Sequence, residues 1–227
     1  MIVFYYTSTP FLDIALEIIN ILKYDVELHV MIEVTPGNAH RIGVSKLPEN
    51  KTIIGFSDLL SENSLNYFTP YFEGCASFNF IIHTSDAGAS FSTLKMFHKT
   101  WRFIANLHPD VIHMEAITLR SLGMIPFLFS KIKFFFTIHD PIPHSGAANW
   151  KISLPRRLFL KLPNKKSYFF YSQFAKNQVE QLYQFDRYPK YLNRMYPYSY
   201  YRLFKKGEIL TKKHILFFGS IAQYKGI

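Results

Sequence analysis

Between Val111 and Ile138 the chain reads Val-Ile-His-Met-Glu-Ala-Ile-Thr-Leu-Arg-Ser-Leu-Gly-Met-Ile-Pro-Phe-Leu-Phe-Ser-Lys-Ile-Lys-Phe-Phe-Phe-Thr-Ile. Its two ends, 111–114 and 133–138, are short runs dominated by apolar residues that do not alternate with polar ones. Strands buried on both faces of a parallel sheet read this way. The segment between them, 118–130, has the length of a helix. Strand, helix and strand in this order form a β-α-β unit with a right-handed crossover.

On either side of this unit the same alternation recurs. Residues 1–6 read as a first strand. Thr9 caps a helix with Pro10 in its first turn, with Phe11, Ile14, Ala15, Ile18 and Leu22 on one face and Asp13, Glu17 and Asn20 on the other. Residues 25–34 return as a strand. Residues 35–72 carry Pro36, Gly37, Gly43, Pro48, Gly55 and Pro70, and are expected to be irregular apart from one short strand at 53–56. A strand at 78–83 follows, then a helix on which Leu94, Phe97, Trp101, Ile104 and His108 recur at helical spacing. Beyond Ile138 come a polar loop (139–150), a helix near 153–162, a strand at 168–171, and a helix at 173–185 capped by Ser172. Strands alternating with helices over this length predict an α/β fold with a doubly wound parallel, Rossmann-like sheet. The polar, Tyr-rich stretch 186–213 and the apolar run 214–219 suggest a boundary: an N-terminal domain at 1–200, a linker at 201–213, and the start of a second domain at 214–227.

The bulk properties agree with one α/β domain. Among 227 residues, 48% are hydrophobic, 18% aromatic and 19% charged, which excludes a disordered chain. Lys and Arg exceed Asp and Glu by 26 to 16, and a net charge of +10 attracts phosphate groups of any origin. The short basic clusters, among them Lys131/Lys133 and Lys165/Lys166, read mostly as solvated surface. A single cysteine, Cys75, precludes an internal disulfide and reads as a packing residue. The N-terminus lacks a signal-peptide pattern, and the longest apolar segment, 122–138, is interrupted by Lys131 and Lys133 and is too short to span a bilayer. The expected address is the cytoplasm.

In an open α/β sheet, ligands bind beyond the carboxyl ends of the strands. That rule selects 7–10, 83–88, Glu115, 139–146 and Ser172. The loop after the first strand, Thr7-Ser8-Thr9-Pro10, has no glycine, which speaks against a nicotinamide or flavin enzyme, and neither a P-loop nor a Gly-x-Ser-x-Gly elbow is present. His139, Asp140 and His144, with His113 or Glu115, match no structural zinc spacing, so no metal is expected.

Three segments add a resemblance. Thr-Ile-His-Asp-Pro-Ile-Pro-His-Ser-Gly (137–146) resembles the loop after a central strand in the first domain of family 4 glycosyltransferases. Ile-Leu-Phe-Phe-Gly-Ser-Ile-Ala-Gln-Tyr-Lys-Gly-Ile (215–227) resembles the strand and phosphate-binding loop that open that family's second domain. Tyr-Phe-Phe-Tyr-Ser-Gln-Phe-Ala-Lys (168–176) looks like the strand-to-helix step between them.

The resemblance implies the first domain of a GT-B two-domain architecture and a retaining, metal-independent transfer. A sugar would pass from a nucleotide-sugar to a saccharide or lipid-linked saccharide acceptor in cell-surface polysaccharide synthesis. No cofactor is implied, the nucleotide-sugar being a co-substrate. His139 and Asp140 would be catalytic, beside the transferred sugar. Gly219, Ser220, Lys225 and Gly226 would meet the donor, with Ser220 standing where the family usually has Arg. Ser8, Thr9, His83, Glu115, His144 and Ser172 would line the acceptor side of the cleft. The partners implied are donor, acceptor and, peripherally, an anionic membrane at the inner face of the plasma membrane, with no nucleic acid. The family's acidic donor-gripping motif lies beyond position 227, so the chain alone is expected to be inactive. The alternative reading is a non-enzymatic truncated remnant that at most binds acceptor. A nucleotide-sugar epimerase of similar architecture fits the two loops less well.

Overall fold

The computed structural model describes residues 1–49, 52–88, 90–139, 150–162, 164–183 and 188–193. Within them the strands are β1 (Ile2–Ser8), β2 (Glu27–Val34), β3 (Ile53–Gly55), β4 (Ser77–Ile82), β5 (Val111–Met114), β6 (Lys133–Ile138), β7 (Lys166–Phe170) and β8 (Lys190–Leu192). They form one sheet in the order β3-β4-β2-β1-β5-β6-β7-β8. Neighbours are parallel except β3, an antiparallel edge strand on β4. The helices are α1 (Leu12–Leu22), α2 (Phe56–Leu59), α3 (Glu62–Phe72), α4 (Phe91–Leu107), α5 (Trp150–Lys161) and α6 (Gln173–Tyr183), with 3-10 segments at Thr9–Phe11, Pro36–Ile42 and Leu119–Phe129. The doubly wound α/β expectation holds.

Strand order runs outward from β1 in both directions, so the switch point lies between β1 and β5, where an α/β sheet opens a crevice at its carboxyl edge. Right-handed crossovers then dictate the layers. On one face, α1 and α3 bury Leu16, Ile19, Phe68 and Phe72 against β1, β2 and β4. On the other, α4, the Leu119–Phe129 segment, α5 and α6 cover Phe4, Ile112, Phe134, Phe136 and Tyr168. Beyond α1, the first face of β5 to β8 is an apolar groove of about 470 Å³ lined by Ile18, Ile21, Val111, Phe135, Phe169 and Tyr171 among others. Its floor is an aromatic ladder, with ring centroids 5.5 Å apart for Phe135–Phe169 and 5.3 Å for Phe169–Tyr191.

Several expectations are corrected. The stretch 35–72 is not merely irregular: α3 occupies its end, capped by Ser61, whose Oγ accepts from Ser64 N at 3.4 Å. Pro70 reads as a breaker in sequence but sits near the C-terminus of α3. On α1 the buried side is Leu12, Ile14, Ala15, Leu16 and Ile19, rotated from the Phe11–Ile18–Leu22 face. On α4 it is Thr93, Met96, Thr100 and Ile104; Leu94 and Trp101 face solvent, and His108 ends the helix at a left-handed φ of 49°. The helix at 118–130 is a 3-10 segment opened by a reciprocal Thr118–Ser121 capping box. Pro126 withdraws one backbone donor, and a Cβ on Gly123 would stand 2.8 Å from Phe97 Cα, so glycine is what lets α4 pack this closely. The polar stretch after 186 contains β8, which pairs with β7. Lys166 is buried rather than solvated: its Nζ donates to the carbonyls of Phe159 (2.7 Å) and Leu160 (3.1 Å) at the end of α5. Burial raises the Cys75 thiol to about 11, in keeping with a packing role.

The linker at 201–213, the second-domain start at 214–227, and Asp140, His144, Gly219, Ser220, Lys225 and Gly226 lie outside the described residues.

Candidate functional site

Successive strands of a parallel sheet deliver their last residues to one edge. Here that edge receives Thr7 and Ser8 from β1, Glu33 from β2, His83 after β4, Glu115 after β5, His139 after β6 and Tyr171 after β7. They sort into two clusters, each built on a buried glutamate.

The first centres on Glu115, only 1% exposed. Tyr5 donates its hydroxyl to Oε2 (3.2 Å) and Tyr171 donates to Oε1 (3.3 Å). His139 Nε2 stands 2.7 Å from Oε1 with its N–H poorly aligned to that oxygen, so the imidazole is close to the carboxylate without a well-directed hydrogen bond. Phe11 stacks on the His139 ring at 4.3 Å and 16°, and fixes its plane. His113 Nε2 lies 2.9 Å from Thr137 Oγ1 and 3.6 Å from Glu115 Oε2. Burial pushes the Glu115 carboxyl up, but the contact with His139 and the surrounding imidazoles and hydroxyls outweigh it and hold the group below its ordinary range. For His113 burial wins over the attraction of Glu115, which keeps that imidazole below its ordinary value. Burial, then Glu115, raise the Tyr5 hydroxyl well above its normal value, so it remains a donor. A cavity of about 60 Å³ opens beside His139, lined by Phe11, Glu115, Ile117, Thr137 and Arg156 among others. It would hold roughly two waters, or one hydroxymethine group of a ligand.

The second cluster centres on Glu33, 3% exposed. Arg120 donates to Oε1 at 3.1 Å, Thr118 donates to Oε2 at 3.0 Å, and the Tyr6 hydroxyl donates to Oε2 as well. Arg120 also donates to the carbonyls of Asp86 (2.6 Å) and Ser85 (3.3 Å), and Asp86 accepts from Gly37 N at 3.0 Å. The guanidinium thereby latches the loop after β4 to the turn after β2. Burial lowers His83 to about 4, against an opposing pull from Glu33.

Of the expected site residues, the fold brings together Glu115 and His139. His83 belongs to the Glu33 cluster. Ser8 ends β1 and Thr9 opens the 3-10 segment, both buried; Thr9 does not cap α1 as expected, since the N-cap position falls on Phe11, and from that turn it is Phe11 that reaches His139. Ser172 caps α6, its Oγ accepting from Ala175 N at 3.1 Å, and makes no contact with the Glu115 cluster that the structure shows. Sequence reasoning missed Tyr5, Tyr171, Thr137, Glu33 and Arg120. Tyr171 and Glu33 were available to the strand-end rule; Tyr5 and Arg120 emerge only from three-dimensional packing. Among the described residues no group of three or more His, Cys, Asp or Glu is arranged to hold a metal ion, and no helix is long and apolar enough to cross a membrane.

No protein-family model matches the chain, and no curated protein matches it. Solved structures do. The UDP-GlcNAc 2-epimerase of Neisseria meningitidis, bound to UDP-GlcNAc, aligns with a TM-score of 0.50 and 13% identity over 80% of this chain and 44% of that one. The UDP-GlcNAc 2-epimerase of Methanocaldococcus jannaschii gives 0.51 and 12% over 85% and 45%. A putative UDP-N-acetylglucosamine 2-epimerase of Listeria monocytogenes gives 0.51 and 13% over 79% and 41%. At these identities the likeness establishes a shared Rossmann-like fold. The chain spans less than half the length of each of these structures.

Proposed function

We propose that the chain is the acceptor-side half of a nucleotide-sugar-dependent enzyme of GT-B type, and that its reaction is a retaining, metal-independent glycosyl transfer to a saccharide or lipid-linked saccharide. The observation that carries this reading is the Glu115–His139 pair. A buried carboxylate, kept ionised by its neighbours, orients an imidazole whose Nε2 lacks a well-directed partner and borders a cavity of hydroxyl size. Such an imidazole can hold an acceptor or sugar hydroxyl, and Glu115 stabilises positive charge that develops on the ring. Asp140 beside it, and Gly219, Ser220, Lys225 and Gly226 on the donor diphosphate, complete the proposal. A second reading, inversion at C2 of a nucleotide-sugar, draws on the solved structures with this fold.

One assay separates the readings. The chain, extended through a complete second domain, is incubated with UDP- and GDP-sugars with and without acceptor, and products are followed by NMR. Transfer with the donor's anomeric configuration, unaffected by chelator and reduced at least about 100-fold by His139→Ala, is the expected result. Conversion of the donor to its C2 epimer without acceptor replaces this reading with the epimerase one. The 227-residue chain alone is expected to bind acceptor without turnover. Neither turnover in the extended protein nor acceptor binding by the short one would leave the non-enzymatic remnant.

A further inference from the structure

The net positive charge of this protein is carried by one part of it. Residues 87–179 contain thirteen Lys and Arg against three Asp and Glu, which equals the +10 of the whole chain; the remaining residues balance to zero. Of those three acids, Glu115 is buried and Asp110 caps the N-terminal edge of the sheet through Ile2 N at 2.8 Å, while Asp140 falls outside the described residues. The same segment supplies the layer formed by α4, Leu119–Phe129 and α5, three neighbours packed side by side on one face of the sheet. None of the three contains an acidic residue. Their exposed cations include Lys95 and Arg102 on α4, Lys131 just past the 3-10 segment, and Lys151, Arg157 and Lys161 on α5.

Charge alone does not choose a partner, but the apolar residues between the cations do. Phe91 is 87% exposed, Phe129 69%, Leu94 58%, Trp150 56% and Trp101 39%. On α4, Leu94 and Trp101 lie outside the buried stripe of Thr93, Met96, Thr100 and Ile104 and, like Phe91, face solvent. A folded protein does not gain by presenting this many large apolar groups to water. Aromatic and aliphatic side chains interleaved with Lys and Arg, without acid, match the acyl-headgroup boundary of an anionic bilayer. A nucleic-acid surface asks for cations and has no use for exposed leucine or phenylalanine at 58–87%.

We infer that the outer face of α4, Leu119–Phe129 and α5 docks flat on an anionic lipid bilayer, with Trp101 and Trp150 inserted at the interface. Phe91 and Trp150 open α4 and α5 at the carboxyl edge of the sheet, while Phe129 and Lys131 precede β6 at the opposite edge, so the docked face spans the layer from one edge to the other. The inference does not rest on the proposed transfer, because the test involves no turnover.

Trp101 on α4 and Trp150 on α5 are the two tryptophans of the chain, and both are exposed. The 227-residue protein is titrated with vesicles of equal parts dioleoylphosphatidylglycerol and dioleoylphosphatidylcholine, with intrinsic fluorescence as the readout. The expected result is a blue shift, quenching when the lipid acyl chains are brominated near their carbonyl end, and at least tenfold weaker binding to pure phosphatidylcholine. Lys95→Glu with Arg102→Glu and Arg157→Glu should weaken partition at least tenfold. Leu94→Ser with Phe129→Ser should weaken it several-fold and remove most of the quenching. All five positions are exposed, and unchanged far-ultraviolet circular dichroism checks that the variants fold. Absence of quenching, or equal binding to neutral and anionic vesicles, overturns the inference. Binding to single-stranded RNA with no response to lipid overturns it too, and assigns the face to nucleic acid.

Discussion

Two buried glutamates sit on one edge of one sheet and are satisfied in different ways. Glu33 has a permanent counter-charge, Arg120, and its two oxygens are taken by Arg120, Thr118 and Tyr6. The described partners of Glu115 are two tyrosines and two imidazoles, none of them a permanent cation, and a cavity opens beside one of them. A fixed ion pair that bridges two loops suits a structural tie. A carboxylate held by hydroxyls and imidazoles next to open space suits chemistry. The role of a buried acid is set by its partners, not by its burial.

The largest effect is expected from Arg120→Met. It strands Glu33 without a counter-charge and unlatches the Ser85–Asp86 turn, and a loss of about 3–5 kcal/mol in urea unfolding is expected. A loss under about 1 kcal/mol would show that Glu33 is not held as described. The next largest effect is a pH dependence. The folded-state value of His83, about 4, lies below its ordinary 6.5, so the unfolded chain binds a proton that the native state refuses. Stability should therefore fall as pH drops from about 6.5 toward 4, by up to roughly 3 kcal/mol at about 1.4 kcal/mol per unit. His113, also lowered by burial, adds to the same window. Thermal melts of His83→Gln should show a shallower slope there, and an unchanged slope would remove His83 from that cluster.

Glu115→Gln sharpens the other side. Near-isosteric replacement in a site held by hydroxyls and imidazoles should cost only about 1–2 kcal/mol of stability. Acceptor binding should nevertheless fall at least about tenfold, because the ionised partner of His139 is gone. A stability loss as large as that of Arg120→Met would make the two glutamates equivalent. The smallest effect is expected from Tyr171→Phe: removal of one donor from Glu115 should cost about 1 kcal/mol, with the His139 contact retained.

Much of the architecture was legible because parallel strands announce themselves as apolar runs and helices cap where Ser172 does. What was not legible had local causes. Pro70 disguised α3, since a proline near a helix C-terminus looks like one that forbids the helix. The faces of α1 and α4 were misread because both helices carry large apolar residues around most of their circumference, Leu94 and Trp101 among them, and sequence spacing alone cannot tell a core contact from an exposed one. At the site, strand-end geometry selected Glu115 and His139 separately, and the fold brings the two side chains together. Tyr5 and Arg120 could not be nominated, because their contacts with Glu115 and Glu33 span 110 and 87 positions of sequence.

Because every crossover after β5 passes behind the sheet, the ladder Phe135–Phe169–Tyr191 lies on a face that no described helix crosses. A purified sample should therefore enhance the emission of anilinonaphthalene dyes while still melting in one cooperative step. Those two behaviours are ordinarily taken to distinguish a loosely collapsed state from a native one. For this chain, dye fluorescence would report the winding of the sheet, and near-ultraviolet circular dichroism is the proper gauge of whether the protein is folded.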